Sequence, residues 1–268
     1  MATPADRSAV REARRVVVKV GSSSISGANA RNIEPLVDAL AAAHGRGVEI
    51  VLVSSGAIAT GMPYLRLSTR PSDLATQQAA AAVGQNVLVY RYQDSLDRYD
   101  IVAGQVLLTA GDLENPTHRS NAERAMERLL ALRILPIVNE NDTVATHEIR
   151  FGDNDRLAAL VSMLIRADAL VLLSDVDAIY TRPPEEPGAE RIGLVTDGSE
   201  LDDVTFGAST SGVGTGGAST KVSAARLAAA AGTGVLVTSI ERVADALAGA
   251  EVGTWFVPGT DPARHGRP

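Results

Sequence analysis

Short apolar, β-branched runs recur along the chain, with longer mixed segments between them. RVVVKV (15–20), VEIVLV (48–53), IVAGQVLLT (101–109), ILPIVN (134–139), ALVLLS (169–174) and VLVTS (235–239) have the length and Val/Ile/Leu content of strands buried on both faces. Helices are predicted over 34–44, 73–97, 120–132, from Asp153 or Asn154 to about Ile165, from about Ser219 to Ala231, and near 241–249. Gly84 is a candidate break in the second of these. Thr143 to Phe151 suits a small hairpin, 182–216 is loop-rich with Pro183, Pro184, Pro187 and many glycines, and VGTWFV (252–257) is a last short apolar run. Continuous apolar strands alternating with helices predict an α/β fold with a mostly parallel sheet covered on both faces.

In such sheets ligands bind outside the carboxyl ends of the strands. That rule selects GSSS (21–24), SSGA (54–57), NEND (139–142) and SDVD (174–177), each of which follows an apolar run. Composition narrows the function. Apolar residues make up 45% and aromatics 3%, so the core is expected to be helices packed on a Val-rich sheet. A net charge of −7 argues against sequence-independent nucleic-acid binding, which needs a basic face. There is no cysteine, which excludes disulfides and thiolate metal sites. The N-terminal MATPADRSAVREARR lacks the apolar core of a signal peptide, and no apolar run approaches the ~18 residues of a membrane span. A soluble, cytoplasmic protein is expected, with neither nucleic acid nor membrane as partner.

Lys19 lies inside a Val-rich run, where an ammonium is costly unless an anion partners it. It is either a point charge for a phosphate or a gatekeeper on an edge strand. Gly21 and the serines behind it let backbone N–H groups approach a ligand. Ser54, Ser55 and Gly56 form a seat for a carboxylate or phosphate at a helix start, or hold a nucleophilic serine; Gly-x-Ser-x-Gly is absent. In SGVGTGGASTK (211–221), Gly212, Gly214 and Gly217 match G-x-G-x-x-G, but a loop precedes them and no acidic strand end follows about 20 residues on. The Walker pattern fails too, because Lys221 follows Thr220. What remains is a loop opening a helix with Lys221 in its first turn, an anion site by dipole and charge, or a surface loop. Asp175 and Asp177 suit a ribose, a metal or a turn. The stretch VNENDTVATHEIRFGDNDR (138–156) crowds five acids and three asparagines. It lacks EF-hand spacing, leaving a polar hairpin or a grip on a ligand. Two lysines, glycine-rich loops and an acidic strand end together suggest phosphoryl transfer to a zwitterionic acceptor.

VVVKVGSSS, VLVSSGAIATG, QQAAAAVGQ, GQVLLT, VNENDTVATHEIRFGDND, LVLLSDVDAIY and GTGGASTK, in this order, resemble the amino acid kinase family, and within it the branch that phosphorylates glutamate. The resemblance runs from about residue 15 to 255. It implies a three-layer α/β/α sandwich and ATP-dependent phosphorylation of L-glutamate to L-glutamyl 5-phosphate, the start of proline synthesis. It implies Mg²⁺ with ATP, inhibition by L-proline, and a homodimer or homotetramer. Lys19 and Lys221 match the two phosphate-contacting lysines, Gly21 the loop at the transferred group, and Asp155 the aspartate that organises the lysines. Ser55, Asp142 and Asn154 match the glutamate-binding positions, with Gly56, Asn139 and Asp153 beside them. Asp142 would pair the α-ammonium, and Asn154 with the Ser55–Gly56 corner would take carboxylate oxygens. Ser174, Asp175 and Tyr180, with Thr215, Gly216, Gly217, Ala218, Ser219, Thr220 and Lys221, match the nucleotide site. No protein ligand to the metal is implied. Ala218 replaces a frequent methionine, and Ala178-Ile179 a usual Gly-Leu. The expected organisation is a flexible 1–13, a kinase domain over 14–257 with an amino-acid-binding and a nucleotide-binding lobe, and a tail over 258–268. No PUA domain is expected. A sibling acceptor (N-acetylglutamate or aspartate) and a non-catalytic sensor are the alternatives.

Overall fold

The structure is a computed structural model that describes residues 6–145, 154–202, 204 and 217–259. Its strands are β1 (Arg15–Lys19), β2 (Glu49–Val53), β3 (Ala103–Leu108), β4 (Leu135–Glu140), β5 (Ala169–Ser174), β6 (Ile179–Tyr180), β7 (Arg191–Ile192), β8 (Leu194–Val195), β9 (Gly234–Ser239) and β10 (Thr254–Phe256). Its helices are α1 (Ser8–Glu12), α2 (Ser22–Ile25), α3 (Ile33–Gly45), α4 (Ala57–Gly61), α5 (Leu74–Leu96), α6 (Ala110–Glu114), α7 (Pro116–Ala131), α8 (Asn154–Leu164), α9 (Ala218–Ala230) and α10 (Val243–Leu247). Among the described residues one eight-stranded sheet runs in the order β3-β4-β2-β1-β5-β9-β10-β8. The first six strands pair in parallel, and β10 turns antiparallel to β9. β6 and β7 form a separate antiparallel pair.

Alternation along β1 sorts the layers. Val16 and Val18 join one core cluster with Leu36 and Leu40 of α3 and Leu88 of α5. Val17 joins a second with Leu157 and Val161 of α8 and Ala225 and Ala228 of α9. Two helical layers therefore sandwich the sheet, as the α/β pattern and the resemblance imply. Lys19 shares its parity with Val17, so the pleat directs it to the α8–α9 face.

Several local expectations change for tertiary reasons. Helix α5 is continuous through Gly84. A Cβ there would lie 1.8 Å from the Ala57 carbonyl oxygen, and one on Gly61 would lie 1.9 Å from that of Ala80. These glycines let α4 and α5 touch backbone to backbone. Helix α7 begins at Pro116 rather than near 120, because Asn115 Oδ1 accepts from Thr117 N and His118 N and Pro116 suits the first turn. The loop-rich 182–216 contributes the two-residue strands β7 and β8. Within the expected flexible 1–13, Ser8–Glu12 is helical, with Val10 buried and Arg7 donating to Gly193 O and Gly253 O. Of the expected hairpin, only Thr143 to Ala145 are described, as a turn closed on Asn141 O. No described helix is long and apolar enough to cross a membrane.

Candidate active site

Register aligns the polar clusters. Lys19 pairs with Val53 on one side and Leu172 on the other, and Val53 pairs with Val138. The carboxyl ends of β4, β2, β1 and β5 thus form one rim, carrying Asn139, Ser54 to Gly56, Gly21 to Ser24, and Ser174-Asp175.

The centre of this rim is ionic. Lys19 is 2% exposed and Asp155 is 0% exposed. Lys19 Nζ lies 2.5 Å from Asp155 Oδ1, and Lys221 Nζ lies 3.1 Å from Asp155 Oδ2. Asp155 stands in the first turn of α8, where the helix dipole favours a carboxylate. Lys221 stands in the first turn of α9, whose start is held by a reciprocal pair: Gly217 N donates to Thr220 Oγ1, and Thr220 Oγ1 lies 2.9 Å from Gly217 O. The same hydroxyl is 3.3 Å from Asp155 Oδ2. The packing of α8 on α9 and of both on β1 therefore joins side chains 202 positions apart in sequence. Lys19 and Lys221 are also the only lysines in the chain; every other member of the Lys/Arg class is arginine. A compact ammonium with three rotatable donors suits a moving phosphoryl group, whereas arginine's rigid fork suits static pairs.

Backbone closes over the lysines. A Cβ on Gly21 would sit 3.9 Å from Lys19 Nζ, so the loop after β1 covers that ammonium. Ser23 and Ser24 anchor the loop by donating to the Asp175 carboxylate. Gly56 has φ +91°, and its Cβ would stand 3.3 Å from Ser22 Cα. Only glycine fits both the left-handed backbone and that approach. The Ser54 hydroxyl is withdrawn into the core, 3.0 Å from Tyr92 OH, and burial pushes the Tyr92 phenol up. Ser55 is the half-buried serine left at the corner.

A buried amide chain borders the corner. Asn154 Nδ2 donates to Ser54 O at 2.6 Å and to Asn139 Oδ1 at 2.7 Å. Asn139 Oδ1 also accepts from Glu140 N, and Asn139 Nδ2 donates to Gln85 Oε1 of α5. A carbonyl only accepts and a backbone N–H only donates, so Ser54 O and Glu140 N identify the oxygen and nitrogen ends of both amides. Both N–H groups of Asn154 are thus engaged by protein, and its Oδ1 bonds no described residue. The Asn154 amide nitrogen, expected to meet carboxylate oxygens, is thus bonded within the protein. Asp142 is half-buried in the turn after β4.

Lys19, Lys221 and Asp155 are thus in direct contact, as are Asn139 and Asn154. Gly21 and Gly56 meet across Ser22. Ser174 Oγ accepts a long 3.5 Å bond from Val176 N, and Tyr180 donates to Asp177 Oδ1 at 2.9 Å. Gly217, Ala218 and Ser219 open α9. Asp153, Thr215 and Gly216 lie outside the described residues. Sequence reasoning missed the Ser23 and Ser24 clasp on Asp175, and it passed over Gln85 although QQAAAAVGQ was singled out.

The profile of the Amino acid kinase family matches residues 14–239. The chain is 75% identical over 254 residues to a glutamate 5-kinase of Clavibacter sepedonicus, covering 95% of this chain and 98% of that protein. It is 73% identical over 264 residues to one of Leifsonia xyli subsp. xyli, covering 98% of each. A Streptomyces coelicolor glutamate 5-kinase is 58% identical over 93% of this chain and 68% of its own length. Among solved structures, carbamate kinase from Giardia lamblia bound to AMP-PNP superposes with TM-score 0.67 at 17% identity, over 92% of this chain and 99% of that one. That likeness concerns the fold.

Proposed function

Because the chain belongs to the amino acid kinase family, we propose that it transfers the γ-phosphoryl group of ATP to the side-chain carboxylate of L-glutamate. The products are L-glutamyl 5-phosphate and ADP, and the reaction opens proline synthesis. One observation carries the reading: the chain's only two lysines converge on the buried Asp155 at the strand ends, beside the amide-lined corner. The names of the 73–75% identical relatives support glutamate as the acceptor.

The chemistry needs no general base. A free glutamate side chain has a pKa of about 4.3, so the attacking carboxylate is already ionised at neutral pH. The obstacle is charge, since unit anions ~4 Å apart repel by roughly 4 kcal/mol at an effective dielectric near 20. Lys19 and Lys221 offset that repulsion and stabilise the in-line transition state, with the Gly21 loop supplying backbone N–H groups. Asp155 holds both ammonium groups at the strand ends. Among the described residues no group of three acids or histidines could hold a metal. Magnesium arriving with ATP would be held by phosphate oxygens and water, and it neutralises phosphate charge when bound. Ser174, Asp175, Tyr180 and the 215–221 loop are assigned to the nucleotide, with Asp175 also anchoring the phosphoryl loop. Ser55, Gly56, Asn139, Asp142, Asp153 and Asn154 are assigned to the acceptor.

The test is ADP release with ATP, Mg²⁺ and a panel of L-glutamate, N-acetyl-L-glutamate and L-aspartate, with hydroxylamine trapping the acyl phosphate. Glutamate hydroxamate equal to ADP is expected. Product from another acceptor alone would reassign the chain to a sibling activity, and binding without ADP would make it a sensor. A cytoplasmic location, a homo-oligomer and inhibition by L-proline belong to the same proposal. Adding L-proline to this assay tests the last.

A further inference from the structure

The amide chain reaches beyond the residues assigned to the acceptor and ends on Gln85. This side chain is 8% exposed. Its Oε1 accepts from Asn139 Nδ2 at 2.6 Å, and its Nε2 is buried with no hydrogen-bond partner. A half-satisfied buried amide is a liability that an apolar residue would avoid, so its placement calls for a reason. Gln85 has few ways to stand elsewhere, because the adjacent Gly84 is locked against the Ala57 carbonyl of the corner helix.

We infer that Gln85 is a positioning residue that sets acceptor specificity: its Oε1 holds the Asn139 amide with the oxygen toward Asn154, which engages the second N–H of Asn154 and leaves that residue only an oxygen to present. An oxygen-only face takes a hydrogen-bond donor, so the corner selects a ligand with an ammonium group. The inference rests on the reading of this rim as the acceptor site. Without an acceptor at position 85, Asn139 Nδ2 is a buried donor with nothing to bond. Asn139 then leaves its place, Asn154 regains a free N–H, and the corner no longer distinguishes an ammonium from an anion.

The probes are L-glutamate and glutarate, which keeps both carboxylates and lacks the α-ammonium. Dissociation constants for both, and for Mg·ATP, are measured by calorimetry on the wild type, Gln85→Leu, Gln85→Met and Gln85→Glu. The wild type is expected to prefer L-glutamate. Gln85→Leu and Gln85→Met, which lack the acceptor, are expected to lose at least about 10-fold of that preference, about 1.4 kcal/mol, with Mg·ATP binding within about 2-fold. Gln85→Glu keeps an oxygen facing Asn139 and is expected to keep the preference, an outcome that a purely structural role would not give. Either apolar variant decides if the other fails to fold. The inference is overturned by unchanged preference in the apolar variants, by equal loss in Gln85→Glu, by parallel weakening of Mg·ATP, or by a wild type indifferent to the ammonium. A wild type that binds L-glutamate preferentially yet releases no ADP sinks the kinase reading and leaves this one standing.

Discussion

Asp155→Asn is the most informative single change. The carboxylate is fully buried and joins both lysines, with Nζ–O distances of 2.5 Å to Lys19 and 3.1 Å to Lys221. An asparagine of nearly the same shape removes the shared counter-charge and leaves two buried ammonium groups facing each other. Each is bonded to one oxygen of the same carboxylate, so they stand within about 8 Å. Their repulsion at an effective dielectric near 20 is then at least about 2 kcal/mol. Breaking a buried ion pair by removing one partner costs about 3–5 kcal/mol, which includes that repulsion. At ~2–4 °C per kcal/mol for a chain of this size, a loss of about 4 kcal/mol lowers Tm by roughly 8–16 °C. Mg·ATP should restore part of it, because the phosphates bring negative charge to the same two ammonium groups. Differential scanning calorimetry with and without Mg·ATP is the assay, and the nucleotide should raise Tm more in the variant than in the wild type. A Tm loss under about 2 °C, or a smaller nucleotide effect in the variant, would mean that Asp155 is not the counter-charge holding the two ammonium groups together.

Three further outcomes are expected. Lys221→Ala should lower kcat by at least ~100-fold, the scale of losing one preorganised electrostatic donor, and Lys221→Arg should not restore it, because a planar guanidinium replaces a compact charge; wild-type turnover in either variant removes Lys221 from the mechanism. Gly84→Ala forces a methyl within 1.8 Å of Ala57 O and should destabilise the fold by about 1–3 kcal/mol or more, as denaturant melts would report; a neutral change would mean that α4 and α5 can part without consequence. Burial, aided by the Arg133 guanidinium, holds His44 below its usual pKa of 6.5. The folded chain then binds fewer protons at this site than the unfolded chain, so this contribution is present above about pH 6.5 and is lost as pH falls through the lowered value. The Tm of the wild type should therefore fall more steeply between pH 7 and 5 than that of His44→Gln, and parallel curves would contradict this.

The strands were legible because two-sided burial leaves an unbroken apolar run, as in VLVS and ALVLLS, with no polar face to blur it. Lys19 announced the site for the converse reason, since a lysine in such a run demands a partner. The identity of that partner was not legible from local pattern. Asp155 and Lys221 meet only because α8 and α9 pack on one face of β1, which is a property of topology. Gly84 misled because its role is a contact with α4, more than twenty positions away, rather than a break in its own helix. β7 and β8 are two residues each, too short for any periodicity. The donor direction of Asn154 was hidden as well, because it is set by a carbonyl after β2 and by an amide near the end of β4.

The most direct measurement is a crystal structure with Mg·AMP-PNP and L-glutamate bound together. Both lysine Nζ atoms are expected within about 3 Å of phosphoryl oxygens, with the glutamate side-chain carboxylate in line with the γ-phosphorus and its ammonium toward Asp142 and Asn154. A nucleotide whose γ-phosphate lies away from Lys19 and Lys221, or a glutamate bound outside the rim between Gly56 and Asn154, would contradict the account.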